Sequence, residues 1–160
     1  MTLKKLLDEK LEEWFLAATM IVMVLLIFVQ VITRYIFENS LTWSEELARY
    51  VHVWQIWIGA SLAVRKREHI RVEAFKKLFN AKGQKVIELI AILSWFGLAV
   101  FLAIAGTDLV NTIFTRGQNS PAMQMPMWVV YSAIPLGGLL MAIRLIQQIY
   151  FLFKPEKEKA

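Results

Sequence analysis

Four long apolar stretches constrain what this chain can fold into more than any other feature. Each is near or above the ~20 residues that an α-helix needs to cross ~30 Å of hydrocarbon. Hydrophobic residues make up 58% of the 160-residue sequence, far more than a soluble domain of this size requires for its core. The sequence therefore predicts a single domain over residues 1–160, an all-α membrane protein with four transmembrane helices at about 14–35, 44–64, 86–114 and 127–153.

The first stretch follows three lysines, Lys4, Lys5 and Lys10, as the apolar region of a signal peptide would. Its apolar run is longer than the about 7–15 residues that are usual in a signal peptide. We therefore expect it to be a retained membrane span.

Lysine and arginine are distributed unevenly among the connections between the apolar stretches. They are concentrated before the first stretch, in residues 65–85 and after Phe153, whereas residues 36–46 contain none and residues 114–126 contain only Arg116. Positively charged connections stay on the cytoplasmic side of a membrane. The pattern predicts that both termini and the middle connection are cytoplasmic. It also explains the formal net charge of +5 through contact with lipid phosphates, without nucleic-acid binding.

Catalytic and metal-binding patterns are not found in the sequence. The chain contains no cysteine, and its two histidines, His52 and His69, are too far apart on one helix to share a metal ion or a haem. Neither a GxSxG elbow nor a phosphate-binding glycine loop is present. We therefore expect no enzymatic activity and no cofactor.

The segment Leu41–Tyr50, "LTWSEELARY", places charge where the second helix begins. Glu45 and Glu46 fall in the first turn, where the exposed amides of a helix favour carboxylates, and Arg49 can pair with either of them. One acid is enough to cap a helix, so the second acid and the arginine require another explanation. We predict that Glu45, Glu46 and Arg49 form a local ion-pair cluster and that Arg34, at the end of the first helix, joins it.

A helical projection of the second helix predicts which side of it faces the rest of the bundle. One stripe has polar residues at its outer end and the small residues Gly59 and Ala63 further along the helix. Small residues allow another helix to approach closely. We expect this stripe to face the bundle, with His52 as an interhelical hydrogen-bonding residue. The stripe contains Glu45, Arg49, His52, Ile56, Gly59 and Ala63, and the opposite, largely apolar side contains Leu47, Tyr50, Val51, Trp54, Trp57 and Ile58.

Gln30 and Arg34 lie one turn apart near the end of the first helix and have two interpretations. In the first, Gln30 bonds to a neighbouring helix and Arg34 extends to the lipid headgroups. In the second, both contact a transported solute.

The basic segment between the second and third helices has apolar residues at helical spacing. It predicts an amphipathic helix at the inner membrane interface, at about 68–82 and ended by Gly83, and a solvated basic loop is the alternative. The residues expected to lie at the membrane interface are Phe75, Lys76, Lys77 and Phe79.

The run Arg34–Phe75, "RYIFENSLTWSEELARYVHVWQIWIGASLAVRKREHIRVEAF", closely resembles the signature region of one family. This family is the small permease subunit of tripartite ATP-independent periplasmic (TRAP) transporters. The matching elements are Arg34-Tyr35 and Phe37, Trp43 with Glu45-Glu46, Arg49, Gly59-Ala60, Glu68-His69-Ile70 and Val72-Glu73.

The resemblance implies a non-catalytic subunit of the bacterial inner membrane that works in a sodium-driven symporter for organic acids. A periplasmic solute-binding protein would capture the acid, and a large elevator-type membrane subunit would carry it. The small subunit would pack on the large one, enlarge its fixed scaffold and help to dock the binding protein. Since the sequence ends with the residues after Phe153, we expect a separate protein and not a fused one.

The residues expected to hold this interface or to support it are Arg34, Trp43, Glu45, Glu46, Arg49, His52, Trp54, Trp57, Gly59 and His69. An autonomous small homo-oligomeric transporter, or a scaffold subunit of another membrane complex, is the alternative function.

Overall fold

The computed structural model describes residues 3–65 and 80–153, and within them it contains helices and no strand. The helices are α1 (Leu3–Tyr35), α2 (Thr42–Arg65), α3 (Ala81–Thr115), α4 (Met127–Tyr131) and α5 (Ala133–Phe153). The prediction of an all-α chain is confirmed for this part of the sequence.

Three segments of the described helices are long and apolar enough to cross a membrane, namely Glu13–Tyr35, Gly83–Thr115 and Met127–Tyr150. The predicted fourth span, α2, forms as a helix of 24 residues, or about 36 Å, so its length would suffice. It is less apolar than the other three because its first turns carry Glu45, Glu46 and Arg49.

The last predicted span is interrupted and not continuous, because Ser132 separates α4 from α5. Pro135 explains why the helical hydrogen bonding is interrupted in this region. Proline has no N–H, so the carbonyl group of Tyr131, four residues earlier, has no helical donor. Before the break, the amide of Ser132 still donates to the carbonyl of Trp128 at 2.9 Å.

The predicted interfacial helix at 68–82 falls mainly on residues 66–79, which lie outside the described part of the chain. At its end the structure differs from the prediction. α3 begins at Ala81, so Gly83 lies inside this helix and does not terminate a preceding one.

The chain divides into two compact units. The first contains the described residues up to Gly59 together with Asp108–Ala133. The second contains Ala60–Thr107 and the described residues from Ile134 onwards.

Two glycines allow α3 and α5 to approach closely within the second unit. A Cβ atom added to Gly138 would lie 2.9 Å from the backbone nitrogen of Ala103 and 2.9 Å from the carbonyl oxygen of Ala99. A Cβ atom on Gly106 would lie 3.0 Å from Pro135 Cδ. A side chain at Gly138 would meet backbone atoms directly, so glycine at this position allows the two helices to pack closely.

Polar side chains of α5 bond to the C-terminal end of α2, also within the second unit. The buried Gln148 donates from Nε2 to the carbonyl oxygen of Val64. The last carbonyl groups of a helix have no intrahelical donor, so Gln148 satisfies one of them. One turn earlier on α5, Arg144 Nε donates to Ser61 Oγ at 2.9 Å.

Candidate functional site

Glu45 and Glu46 lie in the first turns of α2, within the first compact unit. Successive helical residues project about 100° apart, so the two carboxylates leave α2 in different directions. Glu45 is exposed, whereas Glu46 is buried with 8% of its surface accessible. The two neighbouring acids therefore have different partners.

Glu45 connects α2 to α1. Gln30 Nε2, near the C-terminal end of α1, donates to Glu45 Oε2 at 2.9 Å. On the other side, Arg49 Nη2 lies 3.2 Å from Glu45 Oε1 and forms an ion pair one turn along α2. The predicted bond from Gln30 to a neighbouring helix is confirmed.

Glu46 connects α2 to the loop of residues 116–126, which follows α3. Its Oε2 atom accepts two backbone hydrogen bonds, from Ala122 N at 2.8 Å and from Met123 N at 3.0 Å. Its Oε1 atom accepts a hydrogen bond from the hydroxyl group of the buried Tyr50. Three donors thus surround one buried carboxylate, the arrangement that stabilises charge away from water.

The 116–126 loop starts with a glycine-based helix terminus. Gly117 has a φ of +60°, its amide donates to the carbonyl of Phe114, and the amide of Gln118 donates to the carbonyl of Ile113. These two bonds and the positive φ form a Schellman motif, which is how glycine commonly ends a helix. The loop then leaves α3 in a defined direction.

Ser120 closes the middle of the 116–126 loop. It is fully buried, its amide donates to the carbonyl of Met125 at 2.9 Å, and its Oγ atom accepts from the amide of Met125 at 3.1 Å. The carbonyl of Ser120 accepts from the amide of Gln124, which has a positive φ of 53°. The amides of Ala122 and Met123 lie in the turn formed in this way, directed at Glu46.

Two further contacts hold the loop ends within the same unit. The rings of Phe114 and Trp128 pack edge to face with centroids 5.9 Å apart. The hydroxyl group of Tyr50 lies 3.2 Å from Met127 Sδ at the start of α4. The site therefore joins α1, α2, the loop and α4 through hydrogen bonds and an aromatic contact.

The chemistry available at this site is structural. Among the described residues no group of three or more histidine, cysteine, aspartate or glutamate side chains is placed to hold a metal ion. Glu45 and Glu46 both accept hydrogen bonds from the chain itself. The arrangement fixes a helix end and a loop.

Arg34 does not join the cluster that the sequence predicted. It is exposed, and within the described part of the chain no ion pair connects it to Glu45, Glu46 or Arg49. Gln30, one turn earlier on α1, bonds to Glu45 instead. An amide bonds to a carboxylate without requiring a second desolvated charge, which explains why it is suited to this position.

The predicted rotation of α2 is wrong for its N-terminal half. Glu45, Arg49, His52 and Ile56 were expected to face the bundle, but all four are exposed. Tyr50, expected on the opposite side, is buried together with Glu46 and with the small residues Ser44 and Ala48. The bonds of Glu46 and Tyr50 to residues 122, 123 and 127 fix the rotation of α2 about its axis. A helical projection uses only the residues of α2, so these contacts could not enter the prediction.

The remaining predicted residues on α2 have mixed surroundings. His52 Nδ1 lies 3.5 Å from Gln55 Oε1 on its own helix, so the predicted interhelical bond is not the one observed. Gln55 makes the interhelical bond that was expected of His52, since its Nε2 donates to the carbonyl of Leu16 in α1 at 3.4 Å.

Gly59 and the tryptophans of α2 have different degrees of burial. A Cβ atom on Gly59 would lie 4.0 Å from Leu16 Cδ2, an ordinary packing distance. Trp43 is 45% exposed, and Trp54 and Trp57 are partly buried.

Five predicted residues fall in 66–79, outside the part of the chain that the structure describes. They are His69, Phe75, Lys76, Lys77 and Phe79. Their predicted roles stay predictions.

Sequence reasoning missed the partners of Glu46. Tyr50 stands four residues after Glu46, a spacing at which helical side chains meet, so its hydrogen bond was open to prediction. The amides of Ala122 and Met123 carry no such signal, because a backbone donor is common to every residue except proline.

Comparison with known proteins shows which family the chain belongs to. Residues 23–154 match the family model described as the DctQ component of tripartite ATP-independent periplasmic transporters. The chain belongs to this family. It is therefore a small permease subunit of a TRAP transporter and a multi-pass protein of the bacterial inner membrane.

Individual relatives show how the match is distributed. The isethionate TRAP transporter permease protein DctMQ of Oleidesulfovibrio alaskensis is 30% identical over 149 residues, covering 89% of this chain and 24% of that protein. The C4-dicarboxylate small permease protein DctQ of Rhodobacter capsulatus is 29% identical over 108 residues, covering 68% of this chain and 48% of that protein. The sialic acid small permease protein SiaQ of Vibrio cholerae is 26% identical over 157 residues, covering 95% of this chain and 86% of that protein.

The chain thus spans about a quarter of the first of these relatives and about half of the second. The permease protein DctMQ contains a region similar to this chain within a much longer polypeptide. The sialic acid permease protein SiaT of Haemophilus influenzae does so as well, with 30% identity over 152 residues and 24% of its length matched.

Proposed function

We propose that this chain is the non-catalytic small subunit of a secondary transporter that imports an organic acid. A periplasmic solute-binding protein delivers the acid, and a large elevator-type membrane subunit carries it with the energy of a sodium gradient. The small subunit packs on the large one and enlarges the scaffold that stays fixed during transport. The observation that carries the proposal is the family match over residues 23–154.

The two long relatives support a large membrane partner. In the isethionate and the sialic acid permease proteins, the region that resembles this chain covers 24% of the polypeptide. A region of this kind therefore occurs covalently joined to a larger permease portion. We propose that the present chain associates with an equivalent larger portion.

The contacts at the N-terminal end of α2 support a scaffold role. Glu45 and Glu46 are bound to Gln30 and to the 116–126 loop, so they hold elements of this chain to each other. A subunit that stays fixed while its partner moves needs such internal connections. Solute recognition is assigned to the binding protein and to the large subunit.

The proposed membrane orientation follows from the distribution of positive charge. Both termini and residues 66–79 lie on the cytoplasmic side, α2 forms the fourth span, and the 116–126 loop faces the periplasm. Glu46 and Ser120 give this loop a defined shape. It is therefore suited to contact the solute-binding protein.

Reconstitution into proteoliposomes tests the proposal. This chain, the co-purified large subunit and the binding protein are combined in all pairs and together, and uptake is measured with and without an inward sodium gradient. Isethionate, a C4-dicarboxylate and sialic acid are the first solutes to test, since the names of the relatives specify them. Uptake should require all three proteins and the gradient.

Uptake by this chain alone would contradict the proposal. It would favour the alternative of an autonomous homo-oligomeric transporter. Full uptake without this chain would also contradict it, because the large subunit would then need no added scaffold.

A further inference from the structure

One side of α2 carries polar residues that the chain itself leaves exposed. Glu45, Arg49, His52 and Ile56 recur at the spacing of one helix face, and we call these four residues the α2 stripe. The side chain of Arg49 is 68% exposed, that of Glu45 is 52% exposed, and Ile56 is 51% exposed. All four belong to the same compact unit.

The α2 stripe extends well into the helix. From Glu45 to Ile56 it runs for about 16 Å along the axis at 1.5 Å per residue. Under the proposed orientation, Glu45 lies near the periplasmic boundary, and His52 and Ile56 lie within the hydrocarbon. Lipid tails offer no hydrogen-bond partners to the polar members of such a face.

The bonds observed on the α2 stripe use only part of its hydrogen-bonding capacity. A guanidinium group has five N–H donors, and the described contact of Arg49 is the one to Glu45 through Nη2. His52 contacts Gln55 through Nδ1 at 3.5 Å, and its Nε2 atom makes no hydrogen bond to another described residue. Donors therefore exceed acceptors on this face.

We infer that the α2 stripe docks against a membrane helix of the large subunit that presents hydrogen-bond acceptors, including a carboxylate opposite Arg49. This inference rests on the proposed function and adds the face of contact and the chemistry of the partner. An acceptor-rich helix complements the excess of donors, and a small or flat apolar surface complements Ile56. The long relatives show that a region of this kind occurs in one polypeptide with a larger permease portion.

Site-directed cross-linking in the intact complex tests the assignment. The natural chain contains no cysteine, so His52→Cys and Ile56→Cys each provide a single site for a maleimide-linked benzophenone. Phe101→Cys is the matched control, because Phe101 is 63% exposed but lies on α3. The labelled membranes are irradiated, and the adducts of this chain are identified by mass.

The expected result is an adduct with the large subunit from both stripe positions, at least fivefold more abundant than from Phe101→Cys. If the large subunit co-purifies but neither stripe position reaches it, the inference is wrong and the proposed function survives. Adducts with lipid alone, or at twice the mass of this chain, contradict the inference in the same way. If no large subunit co-purifies, the proposed function itself fails, and the inference fails with it.

A second set of variants separates docking from folding. Ile56→Trp adds bulk to an exposed side chain, so the melting temperature of the isolated chain should not change, while recovery of the large subunit should fall about tenfold. Arg49→Glu should reduce recovery at least as much, and Arg49→Lys should retain part of it because the charge is kept. Phe101→Trp is the control and should change neither quantity. Normal recovery with both Ile56→Trp and Arg49→Glu would overturn the inference.

Discussion

At the residue scale, the site depends on two neighbouring carboxylates that leave α2 in different directions. Glu45 is exposed and bonds to Gln30 and Arg49, whereas Glu46 is buried and bonds to Tyr50 and to two loop amides. An exposed ion pair contributes little to stability, because water already solvates both charges. A buried carboxylate that loses its hydrogen bonds is costly. The two acids should therefore respond differently to the same substitution.

Glu46→Gln should destabilise the 116–126 loop, since an amide side chain places an N–H₂ group where the carboxylate accepted hydrogen bonds. The amide hydrogens of Ala122 and Met123 should exchange with solvent several-fold faster, and the apparent melting temperature in detergent should fall by several degrees. Hydrogen exchange measured by mass spectrometry and thermal unfolding check the two effects.

Glu45→Gln is the matched control for this substitution, because Glu45 has the same side chain and is exposed. It should leave exchange at Ala122 and Met123 unchanged. Equal effects of the two variants would mean that the bonds between Glu46 and the loop do not hold the loop.

The sequence identified part of this site. Glu45, Glu46 and Arg49 could be selected because charge at the start of an apolar helix is unusual. Ser120 and the loop amides could not be selected, because their roles depend on a turn that brings residues distant in sequence to Glu46. The exposed side of α2 was misassigned for the same reason, since the loop decides which side of the helix is covered.

At the scale of elements, the closest backbone contact is the crossing of α3 and α5 at Gly138. Gly138→Ala should destabilise the protein by about 1–3 kcal/mol, because the added Cβ would meet backbone atoms at 2.9 Å and the helices would have to separate. Gly97→Ala is the control, since a Cβ there has no neighbour within 4 Å. It should be neutral or slightly stabilising through better helix propensity. Thermal or denaturant unfolding in detergent compares the two variants.

Gln148 should stabilise the C-terminal end of α2 through its bond to the carbonyl of Val64. Gln148→Leu removes the donor and leaves a buried carbonyl without its partner, at a cost of about 1–3 kcal/mol. Gln147→Leu makes the same chemical change at the neighbouring exposed position and should cost much less. If both variants unfold at the same temperature, the bond to Val64 contributes nothing measurable.

The sequence predicted that the long segments are helices more readily than it predicted the residues at which the helices begin and end. The long apolar stretches predicted helices because only a helix satisfies its own backbone in lipid. The break at Ser132 and the start of α3 at Ala81 were missed, since Pro135 indicates a bend without specifying where the helix stops, and Gly83 is tolerated inside a helix.

At the scale of the whole molecule, the orientation in the membrane is open to direct labelling. A membrane-impermeant maleimide should label Asn119→Cys from the periplasmic side of intact cells. It should label Lys85→Cys only after the inner membrane is permeabilised. Both positions are exposed, and the chain has no cysteine of its own, so the background is low. The reverse pattern would contradict the proposed topology and the periplasmic position of the 116–126 loop.

Hydropathy, charge distribution and the Arg34–Phe75 resemblance lead to the class and the family, but the transported solute does not follow from them. In the described residues the acidic side chains at the start of α2 bond within this chain, so nothing there specifies a solute. The relatives differ in the solute that their names specify, namely isethionate, a C4-dicarboxylate or sialic acid. Specificity is therefore expected in the partners of this chain.

The central claim is that this chain works as one subunit beside a larger membrane protein. The most direct measurement is to tag the chain, extract it in mild detergent from its native membrane and determine the mass of the intact complex by native mass spectrometry. We predict a stoichiometric assembly of the 18.5 kDa chain with a much larger multi-span protein. Recovery of the chain alone, or only as multiples of its own mass in several mild detergents, would contradict the claim.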